Sequence, residues 1–272
     1  MLKNLLKFIL PDIVIRTVNQ ILKRDIKISG EYSSWGEALN CSLGYDDDTI
    51  LNKSKKSFLA VINNKAEYER DSVLFYKENI NHSLIKILND ISFESKKIVN
   101  ILDFGGSFAS IYFQNRKVLK NKKRFIWSVI EQKQIVNYVN NSKLYKKITC
   151  SYGNLNFYLT IKDYYKYHSP DLVLLSGVLQ YLPKPFDILD FFISKKVKYF
   201  LILKTPFHQR AEQIKIQTIP KHIYESSYPI RIFNEKYFLN FFSKNKYKTA
   251  PVDFKNEIID NFNFKSFFLK YK

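Results

Sequence analysis

Four stretches of this chain combine residue types and spacings that suit chemistry. In Ile101-Leu-Asp-Phe-Gly-Gly-Ser-Phe-Ala109 an apolar run ends on Asp103 and turns through Gly105, Gly106 and Ser107. Such a turn lets backbone approach a ligand closely, because glycine takes positive φ freely, and the helix that follows aims unpaired N–H groups into it. In Arg124-Phe-Ile-Trp-Ser-Val-Ile-Glu131 a strand pattern ends on a carboxylate able to accept from two ribose hydroxyls, with Gln132 beside it. The third stretch, Asp171 to Tyr181, is apolar on consecutive residues and then presents Ser176, Gly177, Gln180 and Tyr181. The fourth, Lys204-Thr-Pro-Phe-His208, leaves a strand at the edge where α/β sheets bind ligands. His208 is therefore the first candidate for a general base near neutral pH, with a solvated loop histidine as the alternative.

The glycines decide between ligands. A dinucleotide turn needs G-x-G-x-x-G, whereas here Gly105 and Gly106 are adjacent and the later small position is Ala109. A smaller, zwitterionic ligand fits this spacing better than a pyrophosphate. The alternative reading of Glu131 is a strand-end carboxylate in water. The connection Lys120-Asn-Lys-Lys123 lengthens its separation from the glycines and reads as an extended surface link.

Elements must hold these groups at one edge. After Ile98 strand and helix patterns alternate: strand to Asp103, helix from about Phe108 to Lys120, strand from Arg124, helix near Gln134 to Asn141, strand from Asn156 to Thr160. The run Asp171 to Ser176 has the character of a strand buried on both faces, repeated in Tyr199 to Leu203. Lys246 to Val252 and Phe262 to Tyr271 read as a closing pair at one sheet edge. The expected fold is a doubly wound, mostly parallel Rossmann-like α/β sheet with an antiparallel edge strand. It spans residues 96–272, behind an N-terminal helical cap over residues 1–95.

Within that cap, helical pattern runs to about Arg24, and Gly30 to Asp48 reads as loop plus short helix. From Ala66 to Asn89, the positions Val73, Ile80, Leu84, Ile87 and Leu88 predict one long amphipathic helix. Gln217 to Phe233 is polar and aromatic without periodicity, so a lid insertion is expected over about 205–233. There Arg231 is a candidate for bidentate binding of a substrate phosphate or carboxylate, the alternative being a surface loop turning at Tyr228-Pro229.

Composition bounds the rest. With 46% hydrophobic residues in 272, the chain can bury one large core. Cys41 and Cys150 are far apart without metal-ligand spacing, which points away from a disulfide framework and a zinc site and fits a reducing cytoplasm. The net charge of +19 is carried mainly by scattered lysines rather than the arginines that base-reading proteins use, which argues against nucleic acid as the partner. Met1 to Leu10 is too short to span a bilayer and carries no cleavage site, leaving peripheral membrane contact through residues 1–22 as an option.

Taken together, the acidic glycine-rich turn, the ribose-binding acid and the motif after the fourth strand resemble class I S-adenosylmethionine-dependent methyltransferases over about residues 98–207. More narrowly, the chain resembles a methyltransferase family encoded among bacterial surface-polysaccharide (O-antigen and capsule) genes. That likeness rests on Gly30-Glu-Tyr-Ser-Ser-Trp-Gly-Glu-Ala38, Gly44-Tyr-Asp46, Tyr68-Glu-Arg-Asp-Ser-Val-Leu-Phe75, Leu102-Asp-Phe-Gly-Gly-Ser107, Tyr112-Phe-Gln-Asn-Arg116 and Ser227-Tyr-Pro229. The chain departs from the family's glycine at Ala109.

The resemblance implies S-adenosyl-L-methionine as cofactor. Asp103, Gly105, Gly106 and Ser107 would surround its amino-acid part, Glu131 its ribose and Gln132 its adenine. Ser176, Gly177 and Gln180 would pass beneath the sulfonium, with Tyr181 toward the acceptor and Leu179 and Leu182 in the core. The implied acceptor is a hydroxyl of a sugar or a sugar-nucleotide precursor. Two rivals share the core: a catalytically silent cofactor-binding partner and a nucleic-acid methylating enzyme. Ser176-Gly-Val-Leu-Gln stands where DNA amine methylation would need Asn/Asp-Pro-Pro-aromatic.

Overall fold

The computed structural model describes residues 26–44, 47–119, 124–140, 154–220 and 226–272, with Leu144 and Ile148. The readings placed on residues 1–25, Lys120–Lys123 and Cys150 lie outside them.

Five parallel strands form the centre: β4 (Val99–Phe104), β5 (Phe125–Ile130), β6 (Leu155–Tyr158), β7 (Leu172–Ser176) and β8 (Tyr199–His208), in the order β6-β5-β4-β7-β8. Successive residues of β4 and β7 enter opposite cores, as a strand's period of two requires. Ile101, Leu172 and Leu174 pack with one set of helices. Leu102, Val173 and Leu175 pack with the other. The first set comprises α2 (Asp47–Ile62), α3 (His82–Ser95), α4 (Ser110–Leu119) and α5 (Lys133–Asn140). The second comprises α6 (Ile161–Tyr165), α7 (Pro185–Ser194) and α8 (Glu235–Lys244). Beyond β8 the antiparallel strand β13 (Phe262–Tyr271) carries β11 (Tyr247–Ala250) and β12 (Glu257–Ile259). The expected fold class is thus observed, its antiparallel edge included.

Strand β8 outruns β7. Their register ends at Ser176 opposite Leu203. Further along, Phe207 and His208 pair in parallel with Phe233 and Asn234 of β10 (Ser226–Asn234), while Phe207 also faces Asn263 of β13. Since β13 holds one side of β8, β10 takes the other, above the end of β7. Strand β9 (Gln213–Ile219) pairs antiparallel with β10, and β1 (Lys27–Tyr32) with β9. Residues 205–233 are therefore mostly strand rather than an aperiodic lid, and eight of the nine β10 residues are buried. The polar residues of β10 that hid the period, Ser226, Ser227 and Arg231, are buried against neighbouring elements rather than facing water. Likewise β1 enlists part of the expected N-terminal cap in the main sheet, and only α1 (Trp35–Asn40) matches the short helix read there.

Residues 66–89 do not form one helix. Asp71 and Ser72 have φ of 51° and 63°, the two-residue geometry that closes a hairpin, here between β2 (Tyr68–Arg70) and β3 (Val73–Phe75). The helix begins only after Asn81, whose side chain accepts from Leu84 N–H as its cap. Among the described residues no helix is long and apolar enough to cross a membrane.

Candidate functional site

The turn between β4 and α4 is built around a buried carboxyl. Asp103 is 0% exposed. Trp127 Nε1–H donates to its Oδ2 at 3.1 Å, while Oδ1 is enclosed without a hydrogen-bond partner. Burial, opposed by the Trp127 bond and reinforced by the nearby Glu131 charge, pushes this carboxyl up to about 7. A Cβ on Gly106 would lie 2.5 Å from the Asp103 carboxyl. Gly105 has φ +71°, and its Cβ would meet Val178 Cγ2 at 2.4 Å. Glycine is thus required at both positions, by the carboxyl on one side and the segment after β7 on the other.

Glu131, just past β5, closes over the same turn. Its Oε2 accepts the Ser107 backbone N–H at 2.9 Å, and its Oε1 accepts that of Gln132 at 2.8 Å. Burial raises its pKa, and these two N–H bonds oppose the rise. Each oxygen keeps a second acceptor site, so a diol can still be bound. Ser107 and Ala109 sit at φ 51° and 60°. For the alanine, fully buried, the left-handed conformation costs about 1 kcal/mol that glycine would not incur.

The segment after β7 forms the opposite wall. Gly177 has φ 63° and donates its N–H to Leu203 O at 2.9 Å. Gln180 is buried; its Nε2 donates to Lys204 O at 3.1 Å, and its Oε1 is enclosed without a partner. Tyr181 donates its hydroxyl to Gln217 Oε1 on β9 at 3.0 Å and meets the Tyr228 ring of β10 edge-on at 5.3 Å. Leu179 is in the core and Leu182 packs against it, as expected. Asp103, the glycine turn, Glu131, Gln132 and the segment 176–181 therefore converge on the C-terminal edge of β4, β5 and β7.

Two expected residues do not join them in the anticipated role. Arg231 Nη2 donates to Pro183 O at 2.9 Å, Nη1 bonds Glu212, and the guanidinium lies 5.6 Å from the Trp35 ring centre. It is 9% exposed. Its charge is already matched, so it fastens β10 to the 176–184 segment and α1 instead of offering a bidentate fork to a substrate anion. His208 stands five residues beyond Leu203, the residue of β8 level with Ser176, and pairs with Asn234 of β10 instead. Its Nδ1 accepts the Arg210 backbone N–H at 2.9 Å, so the neutral ring carries its proton on Nε2, which is enclosed. Burial, Arg210 and Lys215 lower its pKa. In this arrangement the ring's free lone pair is taken by the Arg210 N–H and its remaining nitrogen carries the proton, so His208 is not poised here as a base.

Sequence reasoning missed Glu69. Its carboxyl, 4% exposed, accepts the Ser110 hydroxyl and the Ser72 N–H, the latter at 3.1 Å. Burial, with Asp71 adding to it and the Ser110 bond opposing, pushes it up to about 7. The available signal was the acidic Tyr68-Glu-Arg-Asp run inside a stretch otherwise assigned to a helix.

No protein-family model matches this chain, and no curated protein matches it in sequence. Solved structures do. The N-terminal domain of EvdMO1, in the presence of S-adenosylhomocysteine and D-fucose, is 10% identical over 84% of this chain and 98% of its own, with a TM-score of 0.50. Magnesium protoporphyrin IX methyltransferase (ChlM) from Synechocystis PCC 6803, with bound S-adenosylhomocysteine, is 13% identical over 84% of this chain and 100% of its own, at 0.46. At such identities the likeness concerns the fold: this chain has the α/β architecture of S-adenosylmethionine-dependent methyltransferases.

Proposed function

We propose that this protein is an S-adenosylmethionine-dependent methyltransferase acting on a hydroxyl of a sugar or of a nucleotide-linked sugar. The observation that carries the reading is the clasp across the glycine turn. Ser107 N–H is held on Glu131 Oε2 at 2.9 Å, and in the same turn Asp103 Oδ1 is enclosed and unpartnered. When ionised, that carboxyl is an acceptor that an ammonium group would satisfy. Glu131 presents its remaining lone pairs to a ribose diol, with Gln132 flanking the adenine. The donor set therefore fits the cofactor, which when bound supplies a methyl group activated on a sulfonium.

The chain's own contribution is positioning. Methyl transfer needs in-line approach of the acceptor more than covalent help, and holding two reactants in line removes most of the entropic barrier. Ser176 and Gly177 leave room at the strand end. Tyr181, its hydroxyl anchored on Gln217, borders the side from which an acceptor arrives, and the sheet extension of β8, β9 and β10 screens that side from water. The sugar reading is supported by the EvdMO1 domain, whose structure was determined with D-fucose present. A role in surface-polysaccharide synthesis, in the cytoplasm or at the inner membrane face, follows the sequence resemblance.

Calorimetric titration with S-adenosylmethionine, S-adenosylhomocysteine and NAD tests the reading. Micromolar binding of the first two without NAD is expected. Binding of NAD alone would overturn it, and binding of none would favour a silent partner protein.

A further inference from the structure

The glycine turn is held from both sides by buried carboxyls, only one of which belongs to the strand that leads into it. Asp103 packs beneath Gly106. Gly106 O accepts the N–H of Ala109 at 3.0 Å and that of Ser110 at 3.4 Å. Ser110, the first residue of α4, then gives its hydroxyl to Glu69, and Glu69 is fixed in turn by Ser72 N–H at 3.1 Å. The hairpin is itself pinned: Ser57 Oγ on α2 donates to Ser72 O at 2.7 Å, and Arg70 Nη2 to Gln114 Oε1 on α4 at 2.7 Å.

Ala109 needs such a hold. It sits at φ 60° between Gly106 and Ser110, a conformation that an alanine leaves readily unless its neighbours fix it. In the same turn Asp103 Oδ1 is enclosed without a hydrogen-bond partner, the feature on which the cofactor reading rests.

With S-adenosylmethionine as the ligand of the turn, as proposed above, we infer that Glu69 is a positioning residue for the amino-acid end of the cofactor. Through Ser110 it keeps Ala109 in the left-handed conformation, so that residues 105–109 meet the ligand ready-shaped. The adenosine end, assigned to Glu131 and Gln132, does not depend on it.

The test compares S-adenosylhomocysteine with 5′-methylthioadenosine, which has the adenosine but lacks the amino acid. Calorimetry on the wild-type chain, Glu69→Gln, Ser110→Ala and Glu69→Gln/Ala109→Gly is expected to show about a tenfold loss of S-adenosylhomocysteine affinity in the first two variants. Their 5′-methylthioadenosine affinity stays within twofold, and the double variant recovers most of the loss, because glycine holds the turn without a clamp. Equal loss for both ligands, no loss for either, or no recovery with glycine would each overturn the role of Glu69. Failure of the wild-type chain to bind either ligand would instead overturn the cofactor assignment and the role with it.

Discussion

Replacing Asp103 by Asn tests the electrostatics of the turn without any ligand. The carboxyl titrates near 4 in an unfolded chain, and in the fold burial pushes it up to about 7. Because the folded value is the higher one, protonation favours the folded state. That contribution is complete below pH about 4 and is lost as the pH rises to about 7. Between pH 5 and pH 8 roughly two pH units of this difference fall due, at about 1.4 kcal/mol each, a bound of about 3 kcal/mol. Relaxation and water entry reduce such penalties, and half the bound corresponds to about 4 °C in Tm for a chain of this size. Asparagine keeps the shape and the acceptor for Trp127 but carries no charge. In thermal unfolding followed by circular dichroism, Asp103→Asn should match the wild type at pH 5 to within a degree or two and exceed it by about 4 °C at pH 8. A difference that stays constant with pH would refute the reasoning, whatever its sign.

Four further outcomes follow from the same geometry. Glu131→Ala, which frees the N–H groups of Ser107 and Gln132, should weaken S-adenosylmethionine binding more than tenfold in calorimetry while the far-ultraviolet spectrum is retained; unchanged affinity would remove Glu131 from the site. Ala109→Gly in the otherwise wild-type chain should raise stability by up to about 1 kcal/mol in urea unfolding, since strain is relieved at the expense of a more flexible unfolded chain; a clear destabilisation would contradict the left-handed alanine. Arg231→Ala should cost about 2 kcal/mol of stability by stranding Glu212 and Pro183 O, and a loss of acceptor affinity with stability intact would restore the substrate-anion role. His208→Ala should keep turnover within about threefold, and a hundredfold loss at unchanged cofactor affinity would reinstate it as the base.

The sheet and the cofactor edge were legible because their signals are local. Leu-Val-Leu-Leu within 172–175, bounded by Asp171 and Ser176-Gly177, reads locally as a strand buried on both faces, and Asp103 with Gly105 and Gly106 close behind reads locally as a close turn. What escaped was written in partners distant along the chain. β10 looks polar and aperiodic, yet Ser226, Ser227 and Arg231 are buried because Gly44, Leu43 and Glu212 supply their hydrogen bonds. Residues 66–89 kept a helical spacing by coincidence: Val73 belongs to a strand, and only Leu84, Ile87 and Leu88 lie on the buried helix face. Asn81 was the cap that should have moved the helix start. His208 was rightly placed on a strand leaving the sheet, but the distance to which β8 continues past β7 depends on pairing with β10, which no local pattern encodes.

The pairing of β1 with β9 joins Lys27 to Thr218, and this sets an order of events during synthesis. A strand made near the beginning of the chain waits for a partner made near its end. At ordinary elongation rates of about 5–20 residues per second the interval is roughly ten to forty seconds. Within it the central β4, β5 and β7 strands are made in turn, all before β9, so the half of the molecule assigned to the cofactor can take shape before the half that faces the acceptor. The nascent chain is thus expected to gain nucleoside-binding capacity first and its closed acceptor side last, with β1 an unsatisfied edge in between.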